Sequence, residues 1–592
     1  MDPHGVYTER LAARRQVAAL DERRHIRLGN LRLAVALAAA VMAWLALSRQ
    51  VISAWWLVAP GAVFLSLVVI HDRVLRAKGR AERAARFYEQ GLARLEDRWI
   101  GQGETGERFL TPGHPYAEAL DLFGRGSLFE LLATVRTRAG EETLARWLGA
   151  ASEPDAVRAR QAAVEELRSR LDLREELALL GEDVRRGVHP EALAAWGERP
   201  PLLDSRLARI AAPLLATLTM GTLVWWIATG EGAPFSAVAA VQAAFGYYFR
   251  RRVLRVIHAV DQLSEDVRLL SAVLARLEQE SFTSRRLVEL QRGLEVAGWP
   301  PSRRLARLAR LIELVQSRHH RLFGAISVLL LWATQLAFAI EAWRYVSGPA
   351  VRGWLEALGE MEALSALAGY AFEHPADPFP EFAVDAPCFE GDALGHPLLP
   401  EARMVPNDVR LTPDLRLLVV SGSNMSGKST LLRTVGVNAV LALAGAPVRA
   451  RRLRLSQLEV GAAMGLVDSL QSGESRFYAE IKRIRLLVDI AQSRPPLLFL
   501  LDELLHGTNS HDRRIGAEGV VRGLLERGAF GLVTTHDLAL TVVAESVSPP
   551  GANVHFEDHL ENGRLSFDYL LRPGVVRKSN ALELMRSVGL EV

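Results

Sequence analysis

The chain is 592 residues long, 49% of them hydrophobic, and its formal charge is +3. That length accommodates two or three domains, the apolar fraction makes membrane segments worth seeking, and so small a net charge does not by itself announce a nucleic-acid binder. A single cysteine, Cys388, excludes an intramolecular disulfide framework and fits a reducing compartment.

Residues 1–80 form a basic N-terminus followed by two uncharged apolar runs, Leu33–Leu47 and Val51–Ile70, with only Ser48, Arg49 and Gln50 between them. This pattern predicts a transmembrane hairpin over about 31–70. Ile210–Thr229 and Ala233–Phe249 repeat it across Gly230-Glu231-Gly232, a second hairpin over 210–249, with a buried soluble helical pair as its alternative. Arg10, Arg14, Arg15, Arg23, Arg24 and Arg27 precede the first pair, Arg73, Arg76 and Arg80 follow it, and Arg250, Arg251, Arg252 and Arg255 follow the second. The positive-inside rule then puts both termini on the cytoplasmic face of an inner (plasma) membrane. Leu322–Ile340 is also long and apolar, but an odd number of crossings would strand the C-terminal half outside. With Thr334 and Gln335 within it and Glu341 at its end, this run is read as a buried helix of the soluble part.

Residues 81–380 read as mainly helical. Leu263, Val267, Leu270, Leu274 and Leu277 recur at alternating steps of four and three, the spacing of a paired-helix seam, and Gly298-Trp299-Pro300-Pro301 predicts a turn. Arg303, Arg304, Arg307 and Arg310 read as a solvated helix face rather than a nucleic-acid track. Pro375–Pro387, rich in proline and acidic residues, marks the boundary to a third part, residues 381–592, where strands and helices alternate.

In that third part Leu415–Val420 predicts a buried strand, followed by Gly422-Ser423-Asn424-Met425-Ser426-Gly427-Lys428-Ser429 and a helix opening at Thr430. This is a complete phosphate-binding loop in the context that the motif requires. Its glycines let backbone amides converge on an anion, the lysine reaches the β and γ phosphates, and the serine hydroxyl ligates Mg²⁺. Lys428 is one of only four lysines among 71 basic side chains, so it is not filler. The strand Leu497–Leu501 delivers Asp502 for the Mg²⁺ shell and Glu503 for the attacking water, and Phe530–Thr535 delivers His536 to the same strand ends. The order and spacing predict an α/β phosphate-loop ATPase of the kind that includes ABC-type proteins and their relatives.

These blocks carry a family resemblance. The loop Gly422–Thr430 with its Asn424-Met425 pair, the segment Ser472–Glu480, the block Leu501–Ser510, the triplet Thr534-Thr535-His536, and the segments Asn553–Phe556 and Arg577–Asn580 are similar to those of the DNA mismatch-repair MutS family. Upstream, Ser127–Leu132, Thr143–Leu148, Val157–Gln161, Leu394–Pro397 and Val405–Asp408 resemble the start of its helical lever and the entry to its ATPase domain. The resemblance implies an ATP- and Mg²⁺-dependent homodimer that acts on DNA. Lys428 would hold the phosphates, Ser429 and Asp502 the metal, Glu503 would polarise water and His536 would report the γ-phosphate. Asn424 would shape the site, Met404 and His555 would flank the adenine, and Ser475 would reach the partner subunit's nucleotide. Met404 departs from the aromatic residue common at its position. Phe87-Tyr88-Glu89 has the letters of the family's mismatch wedge but sits in a charged helical stretch behind the first hairpin, so it is read as a decoy. The family's mismatch-reading and connector domains have no counterpart ahead of the lever, and mismatch recognition by this chain alone is not expected.

Two other classes compete. A half-size ABC transporter fits the order of membrane spans and ATPase but should carry Leu-Ser-Gly-Gly-Gln ahead of the second carboxylate block, and that sequence is missing. A membrane scaffold whose ATPase switches protein partners is the third.

Overall fold

The computed structural model describes residues 2–49, 51–185, 190–295, 298–317, 324–384, 386–465, 476–505, 509–561 and 564–576. Helix α1 (Pro3–Leu47) starts where Asp2 accepts from the backbone N–H groups of His4 and Gly5, with Pro3 in the first turn, where its missing N–H costs nothing. Helix α2 (Val58–Leu95) returns alongside it. A ring nitrogen pair, His25 Nδ1 and His71 Nε2 at 2.8 Å, and the Lys78–Glu22 ion pair join the two.

The base of this hairpin is anchored. Tyr7, Phe87, Tyr88 and Phe372 bury their rings together, so Phe87 is a core residue and not an exposed wedge. Beside them the Arg94 guanidinium grips Glu373 with two bonds of 2.9 and 2.6 Å, and the Tyr7 hydroxyl donates to the same carboxylate at 3.1 Å. Burial and the adjacent Glu373 hold the Tyr7 hydroxyl well above its ordinary pKa.

Short helices follow: α3 (Leu128–Leu132), α4 (Arg138–Gly149), α5 (Pro154–Arg168), α6 (Leu171–Arg185) and α7 (Pro190–Glu198). Then come α8 (Arg206–Thr229) and α9 (Ala233–Asp261), an antiparallel pair turning at Gly230. Pro213 interrupts the α8 ladder, and the Thr217 hydroxyl bonds the Pro213 carbonyl at 2.9 Å. Next are α10 (Ser264–Glu278), α11 (Arg285–Gly293) and α12 (Pro301–Gln316). The predicted seam forms: Leu263, Val267, Leu270, Leu274 and Leu277 are all buried, α10 packing on α12. The paired helices are shorter than the pattern suggests, because the chain breaks between α9 and α10 at Gln262–Leu263. The turn before α12 has Gly298 at φ +71°, and Arg303, Arg307 and Arg310 are exposed.

The run Leu322–Ile340 divides into α13 (Gly324–Leu329) and α14 (Trp332–Ser347), broken at Leu331 with φ +44°; Leu322 and Phe323 lie outside the described residues. Helix α14 buries Leu336, Ala337, Phe338 and Ile340, packing on α9 and α12. Helix α15 (Val351–Glu373) is the axis of the helical part, buried along most of its length against α4 and α5. A Cβ at Gly359 would stand 2.6 Å from the Ala139 carbonyl oxygen, so glycine permits this crossing.

Among the described residues three helical stretches are long and apolar enough to cross a membrane: α1, Trp55–Leu95 and α8. Helix α9, the return arm of the second predicted hairpin, is not among them. The large apolar side chains of α8, including Leu207, Ile210, Leu214 and Leu218, are exposed, so the rest of the chain does not bury this pair as a soluble core.

The C-terminal part begins with β1 (Glu381–Ala383), β2 (Phe389–Leu394), β3 (Asn407–Leu411) and β4 (Leu417–Ser421). Helix α16 (Lys428–Ala444), β5 (Arg452–Ser456), β6 (Glu459–Ala463), α17 (Arg476–Ile490) and β7 (Leu497–Asp502) follow. The described chain ends with α18 (Ser510–Glu526), β8 (Phe530–Thr535), α19 (Val543–Ser546), β9 (Ala552–Glu561) and β10 (Arg564–Pro573). A six-stranded sheet runs β10-β9-β4-β8-β7-β6, parallel from β9 to β6 with β10 antiparallel at the edge. A smaller sheet runs β1-β5-β2-β3. Strands β4, β7 and β8 are buried almost throughout and read as apolar runs up to their polar C-terminal ends, because both faces are covered, as in a parallel sheet.

Glu373→Ala leaves the Arg94 charge buried without its partner, and such a loss costs about 3–5 kcal/mol. The purified variant should show a clearly lower apparent Tm, and Arg94→Met combined with Glu373→Leu should recover most of it. Equal melting of wild type and Glu373→Ala would remove this pair as the anchor of the hairpin.

Candidate functional site

The parallel register brings β4, β8 and β7 side by side, so the residues at their C-terminal ends meet. The turn after β4 spans Gly422–Gly427, and α16 opens at Lys428. Three residues of the turn have positive φ: Gly422 (+153°), Met425 (+69°) and Gly427 (+103°). Glycine removes the strain at two of these, and Met425 takes it with its side chain in solvent. The Ser423 and Ser426 hydroxyl oxygens are buried with no protein partner, which suits a loop shaped around a polar ligand.

Lys428 is 5% exposed. Its ammonium donates to the carbonyls of Gly422 and Ser423 at 2.9 and 2.8 Å and lies 3.7 Å from a Glu503 oxygen. Burial lowers its pKa, opposed by the Glu503 and Asp502 carboxylates. The cation is thus held by weak, local partners within reach of an incoming phosphate.

The Ser429 hydroxyl donates to Asp502 Oδ2 at 2.8 Å, and the Thr534 hydroxyl donates to Asp502 Oδ1. Thr534 is the register partner of Asp502 across β7 and β8, and its oxygen also accepts from the Glu503 N–H at 3.0 Å. Thr534 is a site residue that the motif reading passes over; its position in the register is the signal that finds it. After β7 the backbone turns sharply, with Glu503 at φ +48° and Leu505 at φ +55°, left-handed geometry that side-chain-bearing residues adopt at a cost. Buried Glu480 on α17 accepts the Leu505 N–H at 2.6 Å and secures that turn. The Glu503 carboxylate then lies 3.3 Å from His536 Nδ1.

Lys428, Ser429, Asp502 and Glu503 border a cavity of about 920 Å³, and His536 reaches it only through Glu503. Asn424, Met425, Gly427, Lys428, Ser429, Thr430, Asp502 and Glu503 line it on one side, Met404, Asn407 and His396 on another. His555 does not line it, contrary to the expectation from the resemblance. Its Nδ1 is 3.0 Å from the Gly574 carbonyl oxygen and its Nε2 3.3 Å from Glu557, whereas Phe556, next along β9, lines the cavity. Tyr569 also lines it, and motif reading does not foresee this. A β-bulge between Phe567 and Leu571 puts Tyr569 at φ +57°. Its carbonyl accepts from Asn407 Nδ2 at 2.9 Å, and its ring is so close to Gly427 that a Cβ there would stand 3.1 Å from it. Ser475 lies outside the described residues, as do Lys578 and Asn580.

Two oxygen donors, Ser429 and Asp502, stand where a hard divalent cation could be held beside a phosphate chain, a donor set that fits Mg²⁺. Burial and the nearby Arg433 charge lower the pKa of His396, at the far wall, to about 4. Its contribution to stability is therefore full above pH 6.5 and is lost as pH falls toward 4. His396→Asn should flatten that acid limb in thermal melts taken from pH 7 to pH 4; an unchanged slope would contradict a buried neutral imidazole.

With this geometry established, sequence comparisons identify the fold's relatives. Residues 418–591 match the family model for MutS domain V. A segment of 238 residues, 40% of this chain, is 33% identical to the DNA mismatch repair protein MutS of Natronomonas pharaonis. The match spans 27% of that relative's own length. The C-terminal part of the chain, residues 418–591, is thus similar to MutS domain V, and the chain spans about a quarter of the length of the curated relative it matches.

Proposed function

We propose that this chain is a membrane-tethered, Mg²⁺-dependent ATPase of MutS type, working as a homodimer in which ATP binding moves the helical part, with DNA as the effector. The observation that carries the nucleotide chemistry is the convergence of Lys428, Ser429, Asp502 and Glu503 on one cavity, with His536 3.3 Å behind Glu503. The amides of Gly422–Gly427 cradle the phosphates, and Lys428 exchanges its carbonyl partners for phosphate oxygens. Mg²⁺, when bound, neutralises the charge that develops on the phosphates. Ser429 and Asp502 hold it, and Thr534 keeps the Asp502 carboxylate turned toward it. Glu503 orients and deprotonates the attacking water, with His536 beside it. Tyr569 and Met404 flank the base in the role that the resemblance gives to Met404 and His555. Ser475, by that resemblance, completes the partner subunit's site. DNA binding rests on the similarity to MutS alone.

The tether rests on the exposed apolar helices. Their far ends carry Trp44, Trp55 and Trp56 on the first hairpin and Trp225 and Trp226 on the second, all exposed. The near end of α9 carries exposed Tyr247 and Tyr248 directly before Arg250, Arg251 and Arg252. Aromatic belts at both ends and arginine at one are the marks of helices set across a bilayer with the ATPase part in the cytoplasm. Within the second pair the Thr219 hydroxyl donates to Gln242 Oε1 at 2.6 Å, and Gln242 Nε2 donates outside the pair to the Leu329 carbonyl of α13 at 2.9 Å, so these polar groups are met by protein partners.

Lys428→Ala should weaken Mg-ATP binding about tenfold to hundredfold, the loss expected for charge-assisted hydrogen bonds, and abolish turnover. Glu503→Gln should retain binding while turnover falls by about 10²–10⁴. Unchanged affinity and hydrolysis in Lys428→Ala would refute the site. Mobility shifts of paired, mismatched and branched duplexes, with and without ATP, test the DNA effector. Binding no better than a salt-sensitive background would remove it while leaving the ATPase in place.

A further inference from the structure

The arginines of α12 have a setting that a solvated face does not explain. Arg303 and Arg307, four residues apart, lie on one side of the helix, an arrangement that destabilises a helix by like-charge repulsion. Together with Arg304 and with Arg209 from the first turn of α8 they line a cavity of about 410 Å³, closed by Trp299 and Trp343. Among the described residues lining it, none is acidic. The cavity is a built feature: Arg304 Nη1 donates to the Ser347 hydroxyl at 2.9 Å, and Trp343 Nε1 donates to the Arg304 carbonyl at 2.7 Å. Trp299, on the turn before α12, is 58% exposed at the rim.

Four guanidinium groups around one space repel one another, and a phosphate group accepting bidentate bonds offsets that repulsion. The position of the cavity selects among phosphates. Arg209 is followed at once by Ile210 and then Leu214 and Leu218, the exposed apolar face of α8. Because α8 and α9 turn back on each other at Gly230–Gly232, Arg209 stands at the same end of the pair as Arg250–Arg252. An acyl chain could lie along the α8 face while its phosphate enters the cavity and Trp299 rests at the polar boundary.

We propose that this cavity binds the phosphate headgroup of an anionic phospholipid, seating the helical part at a defined depth and orientation on the membrane. This site presupposes the membrane tether and adds to it a specific lipid contact.

Native mass spectrometry of the full chain released from detergent micelles, titrated with dihexanoyl phosphatidylglycerol or dihexanoyl phosphatidylcholine, reads the site directly. Wild type should retain the anionic lipid in preference to the zwitterionic one. Arg303→Ala with Arg307→Ala should weaken its binding about thirtyfold, from about 1 kcal/mol per arginine, with ATP hydrolysis unchanged, and Arg303→Lys with Arg307→Lys should restore most of it. Equal retention by wild type and the double alanine variant overturns the site. Displacement of the lipid by equimolar inorganic phosphate or by duplex DNA also overturns it, in favour of a free-phosphate or nucleic-acid site. Carbonate washing of membranes separates the two readings. Both proteins staying in the membrane while binding lipid equally would fail the headgroup site alone, whereas wild type washed free would fail the tether and this inference with it.

Discussion

One carboxylate holds the geometry of the strand-end site together. Asp502 ends β7, receives the Ser429 hydroxyl from the first turn of α16 and receives the Thr534 hydroxyl from the end of β8. Three elements distant in sequence are thereby fixed at one point, and the sharp left-handed turn that follows aims Glu503 at the Lys428 ammonium and at His536. The strain of that turn is sustained by bonds on either side of it, from the Glu503 N–H to Thr534 and from the Leu505 N–H to Glu480. The last of these reaches α17, so the strand-end geometry is tied to the helix that follows the Ser472–Ser475 segment.

Helix α16 is shared between the two parts of the molecule. Its first turn borders the cavity, and just beyond its last turn Gly445 meets Arg160 of α5 so closely that a Cβ would stand 2.7 Å from that side chain. Midway, Arg433 pairs with Asp121 at 2.7 Å, and on the neighbouring strand the Ala462 N–H donates to the Pro115 carbonyl at 2.9 Å. From α5 the packing continues into α15, and from the end of α15 through Glu373 to Arg94 and Tyr7 at the base of the first hairpin. In the proposed function this chain of contacts is where a shift of α16 on nucleotide binding would be felt by the helical part.

Much of this was legible before the fold was known, for identifiable reasons. Up to their polar C-terminal ends, strands β4, β7 and β8 show no polar alternation because both of their faces are covered, and runs such as Leu497–Leu501 announce that directly. The loop Gly422–Ser429 declares itself because its backbone angles demand glycine at fixed spacing. What depended on register was hidden: Thr534 matters because it stands opposite Asp502, and nothing local in β8 says so. The wall of the cavity formed by Phe556 and Tyr569 was hidden for a similar reason. Strand alternation puts Phe556 rather than His555 at the cavity, and a bulge that no local residue pattern announced turns Tyr569 toward it. In the helical part the 263–277 periodicity identified a seam but not its partner, because pairing with α12 is decided by the turn at Gly298 and by tertiary packing.

The most direct test is a structure of the full chain with Mg²⁺ and a non-hydrolysable ATP analogue. The triphosphate should lie over Gly422–Lys428, with the Lys428 ammonium moved from the Gly422 and Ser423 carbonyls to phosphate oxygens and the metal held by Ser429 and Asp502. A nucleotide bound elsewhere, or a Lys428 still bonded to its own loop beneath a bound triphosphate, would contradict a phosphate site at this loop.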